Sequence, residues 1–407
     1  MLTALSLAAS LGILVPGPLA SEPDSLPFRD PGLARHELAA PSSVGMSAIG
    51  LIRAEDAVYS ELQRGSFPGA ALAIGRRGTI VLEEGFGNTG RGWDSAPVDP
   101  DETVFDLASL TKVVGTTTAV MLLVEDGKMG LDERVSSYLP EFTGGGKEYV
   151  TVRHLLTHTA GLPAGTDVPA GLSRAEALAH VLRTPLVTYP GGRMEYSDLS
   201  PIVLFAAAER AAGEPLYHLL DRRVFQPLGM TSTSYVFGPD GCQRCAGTSG
   251  ALGAGFKGRV HDPIARRLGG IAGNAGLFST AHDLARFAGM LANGGELDGV
   301  RIFRASTVRQ FAMRQPGAGT RALGWDTPPP GGGGSAGTRI STIAFGHTGY
   351  TGTSLWIDPE RGTWVVLLTN RTYDGEDNNR MQALRRAVHD RVAEATDRGG
   401  YLANSGN

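Results

Sequence analysis

Ser109 and Lys112, in the stretch FDLASLTKVVGTTTAVMLLVEDG, place a hydroxyl and an amine three residues apart. Residues at that spacing share one face of a helix, so the amine can reach the hydroxyl. The chemistry this suits is attack by a serine nucleophile with a built-in base. Apolar residues recur at Val113, Val120, Met121 and Val124, near the helical period, and Gly127 follows as a C-terminal cap. Ser109 would then sit at a helix N-terminus, where unpaired amides favour negative charge on its oxygen and on a tetrahedral oxyanion. The same field disfavours a protonated amine and predicts a Lys112 pushed toward the neutral form of a general base.

Ser-x-x-Lys alone is a weak pattern, since an N-cap serine followed by a solvated lysine is the commoner arrangement. Two downstream segments change its weight: Tyr196-Ser197-Asp198 in YPGGRMEYSDLSPIVL and His347-Thr348-Gly349 in FGHTGYTGTSLWID. This ordered trio resembles the serine β-lactamase and penicillin-binding-protein superfamily, in which Ser-x-x-Lys is followed by Ser-Asp-Asn and Lys-Thr-Gly. It is most similar to the class C-like branch with its esterases and D-peptidases, where the middle motif begins with Tyr and the third is often His-Thr-Gly. The segments 152–163, 213–235, 260–291 and 365–371 carry the likeness further, so that it covers roughly residues 45–395.

The resemblance implies roles. Ser109 attacks a carbonyl and forms an acyl-enzyme, Lys112 and Tyr196 share its proton, and Tyr196 relays that proton to the leaving group and later activates water. The amides of Ser109 and Tyr350 form the oxyanion hole, and Thr348 and Gly349 lie beside the substrate. Asn274, in the glycine-rich stretch 269–280, is a further candidate to face it. A tyrosine with an ordinary pKa of about 10 is a poor base near neutrality, so Tyr196 needs cationic or donor neighbours, for which Lys112 and His347 stand ready. Asp198 stands where the family more often has Asn. It can accept from Lys112 but cannot donate to a substrate amide. His347 replaces the motif lysine, and an imidazole is a weaker anchor for a carboxylate than a permanent ammonium. That favours an esterase or D-peptidase acting on a small-molecule or peptidoglycan-like substrate. A true β-lactamase and a penicillin-recognising protein with little turnover are the alternatives. No cofactor is expected.

The elements that must position these groups are legible as patterns. Residues 45–64 suit a helix with Leu51, Ala54, Val58 and Leu62 at helical spacing, and PGAALAIGRRGTIVLEEGFGN reads as a β-hairpin turning at Arg76-Arg77-Gly78. Near the other end, residues 353–370 read as a hairpin around Asp358 to Gly362, followed by an amphipathic helix. The expected fold is α/β (α+β): an antiparallel sheet made from both chain ends and flanked by helices, with a mostly helical lobe inserted at about 109–315. A cleft between such lobes is a common ligand site. Residues 326–338, DTPPPGGGGSAGT, read as a flexible loop near that cleft. Trp325 before it is expected to be packed.

With 407 residues, 42% of them hydrophobic, the chain can bury a sizeable core. A net charge of -4 with scattered Lys and Arg gives no footprint for nucleic acid. Residues 1–20 form an apolar run ending in small residues and read as a signal peptide, which predicts export to the periplasm or medium. An uncleaved membrane anchor is the alternative. Residues 21–44 read as an extended segment, 45–396 as the hydrolase domain and 397–407 as a tail. Cys242 and Cys245 are too few for a structural zinc site and predict a local disulfide. His154 and His158 share the spacing of metal ligands but lack the glutamate of a zinc-protease motif, and the glycines of 269–280 lack the Gly-Lys-Ser/Thr of a phosphate loop.

Overall fold

The computed structural model describes residues 38–93, 95–237, 241–248, 256–375 and 380–404. The expected signal at 1–20, most of the extended segment and the last residues of the tail lie outside the described residues. Five strands and five helices position the site. The strands are β1 (Gly69–Arg76), β2 (Thr79–Gly87), β3 (Phe345–Thr348), β4 (Ser354–Asp358) and β5 (Thr363–Thr369). The helices are α1 (Ala48–Gln63), α2 (Thr118–Glu125), α3 (Leu199–Ala212), α4 (Ala281–Ala292) and α5 (Met381–Asn404).

The strands pair antiparallel in the order β2-β1-β5-β4-β3, so the sheet is built from both chain ends as the two hairpin patterns imply. The period-two alternation of side chains decides what each face buries. Ala70, Leu72 and Ile74 of β1, with Val365 and Leu367 of β5, pack against α1 and α5. Ala71, Ala73, Val366 and Leu368 point to the opposite face and join the larger core. There α4 lies across the sheet, although its residues fall inside the stretch read as a separate helical lobe. With both faces covered, every residue of β5 is buried.

The segment after Ser109 is not the regular helix its periodicity predicts. Ala108–Leu110 is a 3-10 turn, Lys112–Thr117 is a π-helix, and α-helical geometry begins only at Thr118. The cause is local: Thr117 and Thr118 donate their hydroxyls to the carbonyls of Lys112 and Val113, both at 2.8 Å, five residues back. A run of β-branched residues that satisfies carbonyls by side chain competes with the α-helical ladder, and π-turns of this kind are frequent at functional sites. Gly127, at a positive φ of 68°, ends the helix as expected.

The proline- and glycine-rich stretch at 326–338 also departs from a free loop. Asp390 of α5 holds it, accepting from the Thr338 and Arg339 amides at 2.6 and 3.0 Å. A carboxylate can pin main chain whatever the side chains are. Trp325 is packed, edge-on to Phe345, and Cys242 and Cys245 form the local disulfide.

Where α1 crosses α5, a Cβ on Gly50 would lie 2.5 Å from the Ala395 Cβ. Replacing glycine by alanine inside a helix ordinarily stabilises by about 1 kcal/mol. Here the overlap decides the sign, and Gly50→Ala should destabilise by about 1–3 kcal/mol. The check is a urea titration, with a lower midpoint at unchanged slope. A raised midpoint would show that the two helices part without cost.

Candidate active site

The short turn at 108–110 presents Ser109 to a cleft, and the π-helix places Lys112 directly beneath it. Lys112 Nζ donates to Ser109 Oγ at 2.8 Å and to the Asn274 carbonyl at 3.1 Å, and lies 2.7 Å from Asp198 Oδ1. The side chain is 3% exposed, so these three oxygens stand in for water around its charge. Burial works against the ammonium, but Tyr196 and Asp198 outweigh it and hold Lys112 above its ordinary pKa. The shift toward a neutral base expected from a helix terminus therefore does not occur. A carboxylate in direct contact is stronger than the partial charge of an irregular helix end.

Tyr196 sits in a turn clamped from both sides by one residue. The His158 carbonyl accepts the Glu195 amide at 2.9 Å, and His158 Nδ1 accepts the Ser197 amide at 3.1 Å. The His158 ring lies 4.7 Å from the Tyr196 ring, and His158 itself has a positive φ of 56°. Burial, with the charges of Arg321 and Lys112, pushes its pKa well below the usual histidine value, which keeps Nδ1 an acceptor. His154 turns elsewhere and accepts the Thr151 amide at a helix cap. The two histidines thus serve the main chain, each in a separate way.

His347, on β3, is buried at the cleft wall. Its Nδ1 lies 2.8 Å from the Thr348 carbonyl, so that nitrogen carries the hydrogen, and Nε2 accepts from Arg321 Nη1 at 3.1 Å. Burial first, then Arg321 and Lys112, holds its pKa well below 6.5. His347 is neutral and cannot supply the positive charge expected beside Tyr196. That charge comes from Arg321, whose guanidinium carbon is 5.0 Å from the Tyr196 ring centroid. Arg321 is brought there because Asp326 and Gly346 exchange main-chain hydrogen bonds at 2.8 and 2.9 Å, fastening the loop alongside β3.

The remaining wall comes from the β3–β4 turn and α5. Thr351 and Thr353 donate their hydroxyls to the Asp106 and Leu107 carbonyls at 2.7 and 2.9 Å, stitching this turn to the approach to Ser109. Gly349 has to be glycine for that reason: a Cβ would lie 2.0 Å from Thr353 Oγ1 and 2.5 Å from the Leu107 carbonyl. Arg385 of α5 donates to the Gly349 and Thr353 carbonyls at 2.9 and 2.8 Å. Its burial and the neighbouring Arg371 lower its pKa to about 9. The resulting cleft, of about 440 Å³, brings Ser109, Tyr196, His347, Thr348, Gly349 and Tyr350 together with Arg321, Arg371 and Arg385.

A Beta-lactamase family model matches residues 52–390. The chain belongs to the Beta-lactamase family. A Salmonella agona relative named "Putative D-alanyl-D-alanine carboxypeptidase" is 30% identical over 380 residues, covering 82% of this chain and 86% of the relative. Among solved structures, a penicillin-binding-protein homologue from Caulobacter crescentus aligns with a TM-score of 0.69 at 22% identity, over 85% of this chain and 99% of the other. EstCE1, a hydrolase with promiscuous acyltransferase activity, aligns with a TM-score of 0.66 at 24% identity, over 84% and 99%. At these identities the two structural likenesses establish the fold. With the family model and the relatives, they make the protein a serine hydrolase of the Beta-lactamase family.

Two residues read as substrate-facing are placed otherwise in this family member. Asn274 is 0% exposed, its side-chain amide is bonded to Asp262 at 2.9 Å, and it meets the site only through its carbonyl on Lys112. Asp198 is spent on Lys112 and is not part of the cleft lining, because opposite charges in contact outcompete a substrate not yet bound. Sequence reasoning misses the three arginines. Arg385 carries a signal, a cation between Leu384 and Val388 on the buried face of an amphipathic helix. Arg321 and Arg371 carry none. Among the described residues, Glu83, Asp101 and His282 bring potential metal ligands within 4.8 Å of one another, away from the cleft. Burial opposes a charged His282, but Glu83 at 3.0 Å and Asp101 raise its pKa, so the group reads as an ion pair.

His347→Lys, which restores the lysine of the wider family, should here reduce turnover by about a hundredfold or more, because a second ammonium would face Arg321 without solvent. His347→Gln, which can accept from Arg321, should retain most activity. The check is steady-state turnover of an ester substrate by both variants. An active lysine variant would show that Arg321 is free to swing away.

Proposed function

We propose that this chain is a D-alanyl-D-alanine carboxypeptidase-type hydrolase that removes a terminal D-amino acid from a peptidoglycan-like peptide. The observation that carries this reading is Arg321, a buried guanidinium fixed beside Tyr196 and His347 at the cleft that holds Ser109. A planar guanidinium suits a carboxylate, which it can meet with two parallel hydrogen bonds. The name of the Salmonella relatives supports the same substrate class.

In this mechanism Ser109 Oγ attacks the peptide carbonyl while the amides of Ser109 and Tyr350 stabilise the oxyanion. Lys112 keeps its ammonium and donates to Ser109 Oγ, which turns the serine's own hydrogen toward Tyr196. Tyr196 accepts that proton as it passes its own phenolic proton to the departing amine, so that the C–N bond breaks and an acyl ester remains on Ser109. Water then attacks the ester, giving its proton to Tyr196, and Ser109 leaves with a proton returned to it. Arg321, Thr348 and the glycine-lined turn hold the substrate. Residues 1–20 and the Cys242–Cys245 disulfide support export to an oxidising compartment, the periplasm in a cell with two membranes.

The test is turnover of a short peptide ending in D-Ala-D-Ala and of the same peptide with its carboxylate esterified, followed by intact-protein mass spectrometry. Ser109→Ala should abolish both turnover and the acyl adduct. Arg321→Met should lower kcat/KM on the free acid by about ten- to a hundredfold more than on the ester, the worth of a hydrogen bond to a charged group, because the ester loses only the charge beside Tyr196. Equal rates on acid and ester by the wild type would remove the carboxylate from the reading. A penicillin adduct that hydrolyses quickly would favour the β-lactamase alternative.

Activity should also survive prolonged dialysis against a chelator, since every group in the mechanism is an organic side chain or amide. Loss of turnover restored by added zinc would overturn this.

A further inference from the structure

Asp106 lies three residues before Ser109 and is 2% exposed. Each of its carboxylate oxygens is committed to one main-chain amide: Oδ1 accepts from Ala108 at 2.8 Å and Oδ2 from His261 at 2.7 Å. Ala108, immediately before the nucleophile, has a φ of 47°, in the left-handed region that residues with a Cβ rarely adopt. The Asp106 carboxylate is therefore bonded to the one strained residue that aims Ser109.

Its second oxygen leads to Lys112. After His261 comes Asp262, whose Oδ1 accepts the side-chain amide of Asn274 at 2.9 Å, and the Asn274 carbonyl accepts from Lys112 at 3.1 Å. One carboxylate thus ties together the backbone ahead of Ser109 and the segment that ends on Lys112. We propose that Asp106 is a positioning residue that sets Ser109 and Lys112 in register, through Ala108 on one oxygen and the 261–274 segment on the other. This rests on Ser109 being the nucleophile and not on which ester or peptide is the substrate.

The arrangement works only while Asp106 is ionised. A carboxyl group that takes a proton turns one of its two acceptors into a donor facing an amide N–H. Burial pushes Asp106 up to about 6. The His261 and Ala108 amides pull it down, as does Arg266, while Asp262 pushes it up. Because the folded value lies above the usual 3.8, folding favours the protonated form, and the stability this group contributes is lost as pH rises from 3.8 to about 6. Above that pH the carboxylate costs stability, and what it supplies there is position.

The experiment compares the wild type with Asp106→Asn and Asp106→Ala, using labelling by a serine-directed phosphonate and turnover of a chromogenic ester from pH 5 to 8, normalised to folded protein by circular dichroism. Asparagine can accept from Ala108 but offers a second donor to the His261 amide. Both variants should acylate about ten- to a hundredfold more slowly at neutral pH, with the loss in kcat and little change in KM, as for a misplaced reacting group. The wild type should gain activity as pH rises through about 6, and this limb should vanish in Asp106→Asn. A variant that labels at the wild-type rate per folded molecule, or keeps the acid limb, overturns the proposal. Wild-type labelling at a residue other than Ser109 would instead overturn the assignment of the nucleophile.

Discussion

A lysine ammonium with 3% of its side chain exposed has to find oxygens inside the protein, and Lys112 finds them on three segments that are far apart in sequence. Ser109, Asp198 and the Asn274 carbonyl surround it at 2.7 to 3.1 Å. An unpaired charge in such a place would cost several kcal/mol, so the fold is stable only when all three segments are in position. The arrangement that satisfies the ammonium is also the one that sets a hydroxyl, a carboxylate and a tyrosine around a single point. The requirements of folding and of chemistry coincide on this one group.

The second constraint is how closely the β3–β4 turn approaches Ser109. Thr351 and Thr353 reach across to the carbonyls of Asp106 and Leu107, on the short stretch of chain that leads into Ser109. Gly349 permits the approach by having no Cβ, and Arg385 caps the same turn from α5. Because β3 belongs to a sheet whose strands come from both chain ends, the two walls of the cleft are fixed only once the whole chain has folded. Non-local pairing of that kind gives rigidity at the expense of folding speed.

Much of this was legible beforehand. The two hairpins declared themselves because buried strands are enriched in branched apolar residues and turn at glycine, and one sheet from both chain ends was expected, whereas the pairing of β1 with β5 is read from the structure. Ser109 and Lys112 announced themselves by spacing, and Tyr196 and His347 by the resemblance of their motifs to those of the family. What could not be read were contacts in which main-chain groups take part. Asn274 acts through its carbonyl, and His158 clamps Tyr196 through a carbonyl and a ring nitrogen. The irregular helix after Lys112 was hidden because its apolar period is intact and only the threonine hydroxyls, bonding five residues back, reveal the departure.

Arg321 was unreadable for a different reason, and its position changes what the third motif means. In this chain the cation beside the third motif stands on a loop 26 residues earlier, and the motif itself carries a neutral imidazole whose free nitrogen steers the guanidinium. A neutral acceptor is what such a site requires, since a charged one would repel Arg321 across 3.1 Å. The loop is held by its own bonds, Gln315 to the Arg321 carbonyl at 2.8 Å and Ala322 to the Trp325 carbonyl at 2.9 Å, with Trp325 buried as its anchor. None of these contacts involves Ser109, Lys112 or Tyr196. The group proposed to meet a substrate carboxylate is therefore held by bonds of its own loop, and because it also faces the Tyr196 ring at 5.0 Å, a change in that loop would reach selectivity and chemistry together.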